Sequence, residues 1–361
     1  MRRFPVAALA AAFVLTLAWY VSVRQAALFA VGVGLGAALA AGRFGFTSGW
    51  RTLVVSRDPR GVVGQAILLA LAALLSLPLI AHFPELKAAL GPPSVSLVVG
   101  AFLFGMTMQI ADGCGSGTLY KAGMGVPLNM GILPLFALGS FVGSVHLDRW
   151  LALGAIEPVG FVDRLGATGA VAVTLAGLAV AVALALAWAG PKGRAQWFDA
   201  RWLGGALALA ILAVMNLVLA GQPWGVVYGF GLWAAKLATA AGVFEPAANA
   251  FWSAPGNAEI LRQSVLLDVT SITNIGILAG ALLASTGTPA TGKALTATQW
   301  AIGLVAGFVM GYSSRLAFGC NVGAMVSGIT TGSLHGWMWV PLAFAGTLVG
   351  IRLRRRFGYD A

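Results

Sequence analysis

The chain is poor in charge. Only 9% of its 361 residues are charged, against roughly 25% in soluble domains. So few charges cannot cover the surface of a soluble fold of this length. Acidic residues are scarcer still, 11 against 22 lysines and arginines. There are two cysteines, Cys114 and Cys320, too few for a disulfide framework, a CxxC redox pair or a zinc site. We therefore expect no resident metal and no cofactor. No phosphate-binding loop of the ATPase type is present, which speaks against direct ATP hydrolysis. Alternating apolar and polar positions, the mark of a membrane β-barrel, are also missing.

What is present is hydrophobic sequence, 59% of the chain, with a mean hydropathy of +0.89. The apolar runs are continuous, so the expected class is all-α, a polytopic helical membrane protein. Candidate spans cover residues 4–23, 26–41, 62–81, 94–111, 130–145, 167–189, 203–220, 224–241, 264–284, 300–318 and 337–351. The first is longer than the about 7–15 residues of a signal-peptide core and reads as a retained helix. Several others fall short of the about 20 residues a span requires and adjoin glycine-rich breaks. That predicts discontinuous helices, with short re-entrant pieces meeting near the membrane midplane.

The net charge of +11 would point to nucleic acid in a soluble chain. Here the basic residues cluster in connections (Arg51, Arg57, Arg60) and behind the last span (Arg352, Arg354, Arg355, Arg356). The positive-inside rule and attraction to anionic lipid account for this. Membrane lipid is the expected partner, nucleic acid is not, and both ends are expected in the cytoplasm. The polar stretch 191–201 divides a single transmembrane domain into halves 1–190 and 202–361. A second polar stretch, 249–263, suggests an interfacial helix.

Glycine occurs 49 times, about twice the soluble average of ~7%. Close helix packing explains most of it, but not one repeated pattern. Gly105 lies nine residues before Cys114, Gly113 directly before it and Gly117 three after. Gly311, Gly319 and Gly323 stand in the same places around Cys320. Two weaker copies place Gly36 nine before Gly45, and Gly231 nine before Ala240. Two related halves with two copies each are the simplest reading, an architecture common in transporters, whose sites lie at repeat interfaces.

Each strong copy reads as a hydrophobic helix, a Gly-Cys break and a short helix over 118–124 or 324–329. Irregular backbone at membrane depth survives only inside protein or along a cavity. The free N–H groups opening a short helix favour an anion, and a cysteine there meets whatever they attract. A small buried hydrophobe and a Cys114–Cys320 disulfide remain alternatives on sequence grounds.

The segments 113–120, 315–324 and 332–337, with Arg43-Phe44-Gly45 through Arg51, resemble the YeeE/YedE family of bacterial inner-membrane proteins, which includes thiosulfate-uptake transporters. The likeness runs over most of the chain. It implies uptake of a small sulfur-containing anion along a central path lined by cysteines on inward-dipping loops, with Cys114 and Cys320 matching two family cysteines. Thiosulfate-carrying members have a third, after the Arg-Phe pair. Here that position is Gly45.

A thiol is a weak hydrogen-bond donor, and conduction requires sites that admit an ion and release it again. The thiols are expected neutral, because a thiolate would repel a dianion. Lys121, Lys236 and Arg315 are candidates for charge attraction; snorkelling to the headgroups is their bland alternative. Gln109 and Asn321, with Gly113, Gly319 and Gly45, complete the expected path. The polar group Asp268, Thr270, Ser271, Thr273 and Asn274 reads better as capping and interhelical bonding. His82, His146 and His335 fall at span edges and read as interfacial. No catalytic residue is expected. A cytoplasmic protein that receives the sulfur is a conceivable further partner. A membrane sulfurtransferase working through a cysteine persulfide is the second reading; it needs a reactive thiolate, and no base lies near either cysteine in sequence. A cation pathway ranks last, since only Asp112 and Asp268 supply acid within spans.

Overall fold

The computed structural model describes residues 3–285 and 294–359. In chain order the helices are α1 (Arg3–Tyr20), α2 (Val23–Gly42), α3 (Phe46–Ser56), α4 (Arg60–His82), α5 (Val95–Ile110), α6 (Gly115–Gly123), α7 (Pro127–Val145), α8 (Leu147–Leu151), α9 (Phe161–Ala195), α10 (Ala200–Ala220), α11 (Val227–Ala240), α12 (Ala250–Ser253), α13 (Pro255–Arg262), α14 (Val269–Ser285), α15 (Ala297–Leu316), α16 (Gly328–Thr330) and α17 (Leu334–Arg356). A π-helix over Asn321–Ser327 leads into α16. The all-α expectation holds: no strand occurs among the described residues, and eight helical segments are long and apolar enough to cross a membrane. Large apolar side chains such as Leu15, Leu184 and Val305 lie exposed. On a soluble protein they would be an aggregation hazard; against lipid they are at home.

The long helices begin where their sequences offer caps. Ser22 and Ser94 accept the amides of Gln25 and Leu97, and Thr296 with Gln299 closes a capping box. Each satisfies N–H groups that have no partner within the helix.

Contacts sort the helix ends onto two faces. On one, Arg51 and Arg354 reach Asp112, and Arg60 reaches Asp199. The hydrogen bonds of Arg60 hold the Asp58 carboxyl below its ordinary range. On the other, Arg24 bonds the carbonyls of Leu219 and Ala220, Gln25 that of Leu267, and Thr331 the amide of Ala89. We call these the basic and the opposite face. The helix pairs run in register between them. Phe102 meets Gly346, Met106 meets Gly350 and Gln109 meets Arg354, so α5 and α17 are parallel. Helices α7 and α15 are parallel by the same test, as are α2 and α14.

A unit of long helix, break, short helix and returning helix occurs four times: α2–α3–α4, α5–α6–α7, α10–α11–α14 and α15–π-helix–α17. In the first two the broken helix runs from the opposite face to the basic face. In the last two it runs the other way.

The glycines nine residues before the breaks serve the packing of these pairs. A Cβ on Gly105 would stand 1.9 Å from the Ala343 carbonyl oxygen, and one on Gly311 2.1 Å from that of Phe136. Gly36 meets Ile277 in the same manner. The repeated glycine is therefore the crossing point at which two backbones touch.

Four expectations need correction. The third copy is misplaced. Ala240 ends α11, and the break lies at 221–226, where Gly221 takes a left-handed φ of 68°. No glycine spacing marks that break, so the pattern search settled on the following helix. The span expected over 264–284 opens with a 3-10 turn and becomes helical at Val269, because Asp268 caps the amide of Ser271. The polar 191–201 stretch is helical to Ala195, beyond a kink at Gly190. His335 is buried and bonded to the Ser333 hydroxyl at 2.6 Å rather than interfacial.

Gly105→Ala should destabilise the protein by about 1–3 kcal/mol, the usual cost of overpacking, read as a lower melting temperature in detergent. Gly204→Ala, with nothing within 4 Å of the added methyl, should not lower it.

Candidate functional site

Three of the four breaks share one backbone shape. Arg43, Asp112 and Phe318 each adopt a left-handed φ, of 46°, 54° and 56°. Such angles are uncommon outside glycine and cluster where function demands a set geometry. Two residues on, Gly45, Cys114 and Cys320 are extended and form the N-caps of α3, α6 and the π-helix. The sharp reversal stops one helix and aims the free amides of the next into the protein interior.

The cysteines meet across these helix starts. The Cys114 sulfur accepts the Gly117 amide at 3.4 Å and shares a hydrogen bond with the Ser116 hydroxyl at 3.4 Å. The Cys320 sulfur lies on the other side of the same short stretch, 3.0 Å from where a Gly115 Cβ would stand. The amides of Ser116, Val322 and Gly323 turn toward it. Ser116 therefore stands beside both sulfurs and bonds that of Cys114 through its hydroxyl. Both thiols are free and buried, at 1% and 0% exposure, so no disulfide joins them.

Cys114 lines a cavity with the first turns of α3 and α6, including Gly45, Thr47, Gly113 and Gly117. It has about 20 Å³ of room, enough for one water. The Gly45 position holds a hydroxyl in place of a side chain: a Cβ there would stand 2.1 Å from the Ser48 Oγ. That hydroxyl donates to the Gly45 carbonyl at 3.1 Å.

Charge gathers at the basic-face mouth of this cavity. The Asp112 carboxylate receives Lys121 at 2.6 Å, Arg51 at 2.7 Å and Arg354 at 3.6 Å. Lys121 also bonds the Asp112 carbonyl.

Unpaired polar atoms mark the same region. Thr47 Oγ1, Gln109 Oε1, Thr118 Oγ1 and both amide atoms of Asn321 are buried without a hydrogen-bond partner. Leaving such a group unpaired costs about 1–3 kcal/mol, and native proteins hold few of them.

Of the residues expected on the path, Cys114, Cys320, Gly45, Gly113, Gly319, Asn321, Gln109 and Lys121 gather at or beside the breaks. Gln109 points its amide nitrogen at the Thr47 carbonyl and the Thr347 hydroxyl, each at 3.4 Å. Lys236 does not join them. Its ammonium bonds the carbonyls of Ile260, Leu261 and Gln263 and so caps α13. Arg315 lies over the rings of Phe251 and Tyr228, at 4.7 Å and 5.7 Å, and forms no ion pair among the described residues. Asp268 caps α14, and Asn274 bonds the Val226 carbonyl, as the capping reading requires. Sequence reasoning missed Ser116, Thr47, Ser48 and the role of Asp112. Only the Gly-Ser-Gly run around Ser116 carried a visible signal.

A family model described as sulphur transport matches residues 41–349, and so spans all four breaks. The thiosulfate transporter TsuA of Spirochaeta thermophila is 25% identical over 330 residues, covering 85% of this chain and 92% of that protein. With its four breaks and both thiols inside the matched region, the chain belongs to the sulphur-transport family, the YeeE/YedE proteins.

Proposed function

We propose that the protein carries thiosulfate, or a closely related sulfur oxyanion, inward across a bacterial inner membrane. The observation that carries this reading is the meeting of two free, buried thiols at the facing N-termini of two short helices. Partial positive charge at a helix start favours an anion. A neutral thiol adds a weak donor matched to a soft sulfur atom, without the grip of a fixed cation. A dianion moving from the opposite face would meet Cys320, then Ser116 and Cys114, and then the cations at the basic face. Sites that hold moderately and in series suit conduction. The YeeE/YedE relative named for thiosulfate supports the substrate class.

The excess of arginine at one face supports placing that face in the cytoplasm. Both ends of the described chain then lie there, where a soluble sulfur-accepting protein could collect the ion. The opposed directions of the broken helices support two inverted halves, 1–190 and 202–361, with the site at their interface.

The persulfide reading finds less support. Persulfide chemistry requires an activated thiolate, and the hydrogen bonds of the Cys114 sulfur go to a hydroxyl and an amide, with no base among them.

Uptake of labelled thiosulfate into cells expressing Cys114→Ala or Cys320→Ala should fall at least about tenfold, the loss of one hydrogen bond to a charged group. Unchanged uptake in both variants would remove the thiols from the mechanism. Intact-mass spectrometry during turnover should find both cysteines unmodified; a persulfide on either would favour the sulfurtransferase.

A further inference from the structure

Arg51, Asp112 and Lys121 line the Cys114 cavity, and Arg354 joins them through the Asp112 carboxylate. Arg51 stands on α3, Asp112 on the break after α5, Lys121 on α6 and Arg354 on α17. Joined through the Asp112 carboxylate, they strap these elements together over a cavity that has Cys114 in its wall. Arg51 and Lys121 line the same cavity as Cys114, so an ion at Cys114 meets the strap. Three cations face one carboxylate, so the cluster keeps a formal excess of two positive charges. Arg51 Nη1 is moreover buried without a hydrogen-bond partner, a donor held ready inside the site.

We propose that Arg51, Lys121 and Arg354 form a binding site for a dianionic oxyanion, and that the Asp112 carboxylate is a tethered occupant which the arriving ion displaces. The exchange favours a dianion because it offers these cations two charges where the carboxylate offers one. A monoanion such as chloride has no such advantage, so the strap also selects. Asp112 is suited to the part by position. Its left-handed backbone at the break turns the carboxylate across the mouth, two residues from Cys114. The cavity is too small for an oxyanion while the strap is closed, so displacement of the carboxylate and opening of the mouth are one event. This rests on the transport reading for its biological meaning, but the site can be tested by binding alone.

The test uses the purified full chain in detergent, with sodium sulfate and sodium thiosulfate as probes and chloride as the control. Asp112→Asn should bind both dianions at least tenfold more tightly than the wild type. Its melting temperature, lowered by the unbalanced cations, should be restored by added sulfate but not by equal chloride. Adding Arg51→Gln to Asp112→Asn should remove the gain. An Asp112→Asn protein that binds no more tightly and is not rescued by sulfate would overturn the proposal, leaving Asp112 a structural counter-ion. Should that variant not accumulate, Lys121→Gln decides in its place: tenfold weaker sulfate binding supports the site, and unaltered binding overturns it. A wild type that binds sulfate at this cluster yet carries no thiosulfate would support the site and sink the transport reading.

Discussion

Everything in this molecule depends on interrupting a helix inside a membrane. A broken helix exposes amides and carbonyls to a medium that cannot solvate them. The interruption survives only where protein encloses it and where something accepts the freed amides. Here side chains at the break take part of the load: Cys114 accepts Gly117, and Ser116 stands between two sulfurs. What remains unpaired is a buried set of hydroxyls and amide atoms, donors and acceptors together, beside a cavity with room for little beyond a water. An interior of that kind is costly to build and useful for passing an anion.

The cost is met by packing. Three of the four broken helices are pressed against a parallel partner at a glycine that lets the backbones touch, α2 on α14, α5 on α17 and α15 on α7. The partners come from different units, so no break is supported by its own neighbours alone. The returning helix of one unit braces the broken helix of another, and the breaks are thereby held against each other.

Charge is distributed in keeping with this. Lys236 and Arg315 are settled on carbonyls and aromatic rings away from the thiols. Lys121, Arg51 and Arg354 converge at one end of the cavity. An unshielded cation beside the sulfurs would hold a dianion too firmly to release it, and Lys121 and Arg51, which line the cavity with Cys114, are paired with Asp112. At the basic end of the cavity the Asp112 carboxylate offsets part of their charge.

Composition and the continuity of the apolar runs determined the all-α membrane class, since a soluble fold cannot be covered by so few charges and a membrane barrel would alternate apolar and polar positions. The spacing of Gly105, Gly113 and Gly117 around Cys114, echoed around Cys320, disclosed the two strong breaks, because a turn at membrane depth leaves glycine and small residues at set positions. The third break was hidden: Gly221 opens it without a cysteine or a spaced glycine, and a local pattern cannot register a backbone angle. The meeting of two sulfurs 206 positions apart in the sequence, the placing of Ser116 beside both and the convergence of Arg51, Lys121 and Arg354 on Asp112 were decided only in three dimensions. They arise from helix pairs that bring distant units together, and such pairing leaves no short-range periodicity to read. Lys121 and Lys236 look alike in sequence, each a lone cation near a small-residue helix. Which of them faces the cavity is settled by what lies across from it.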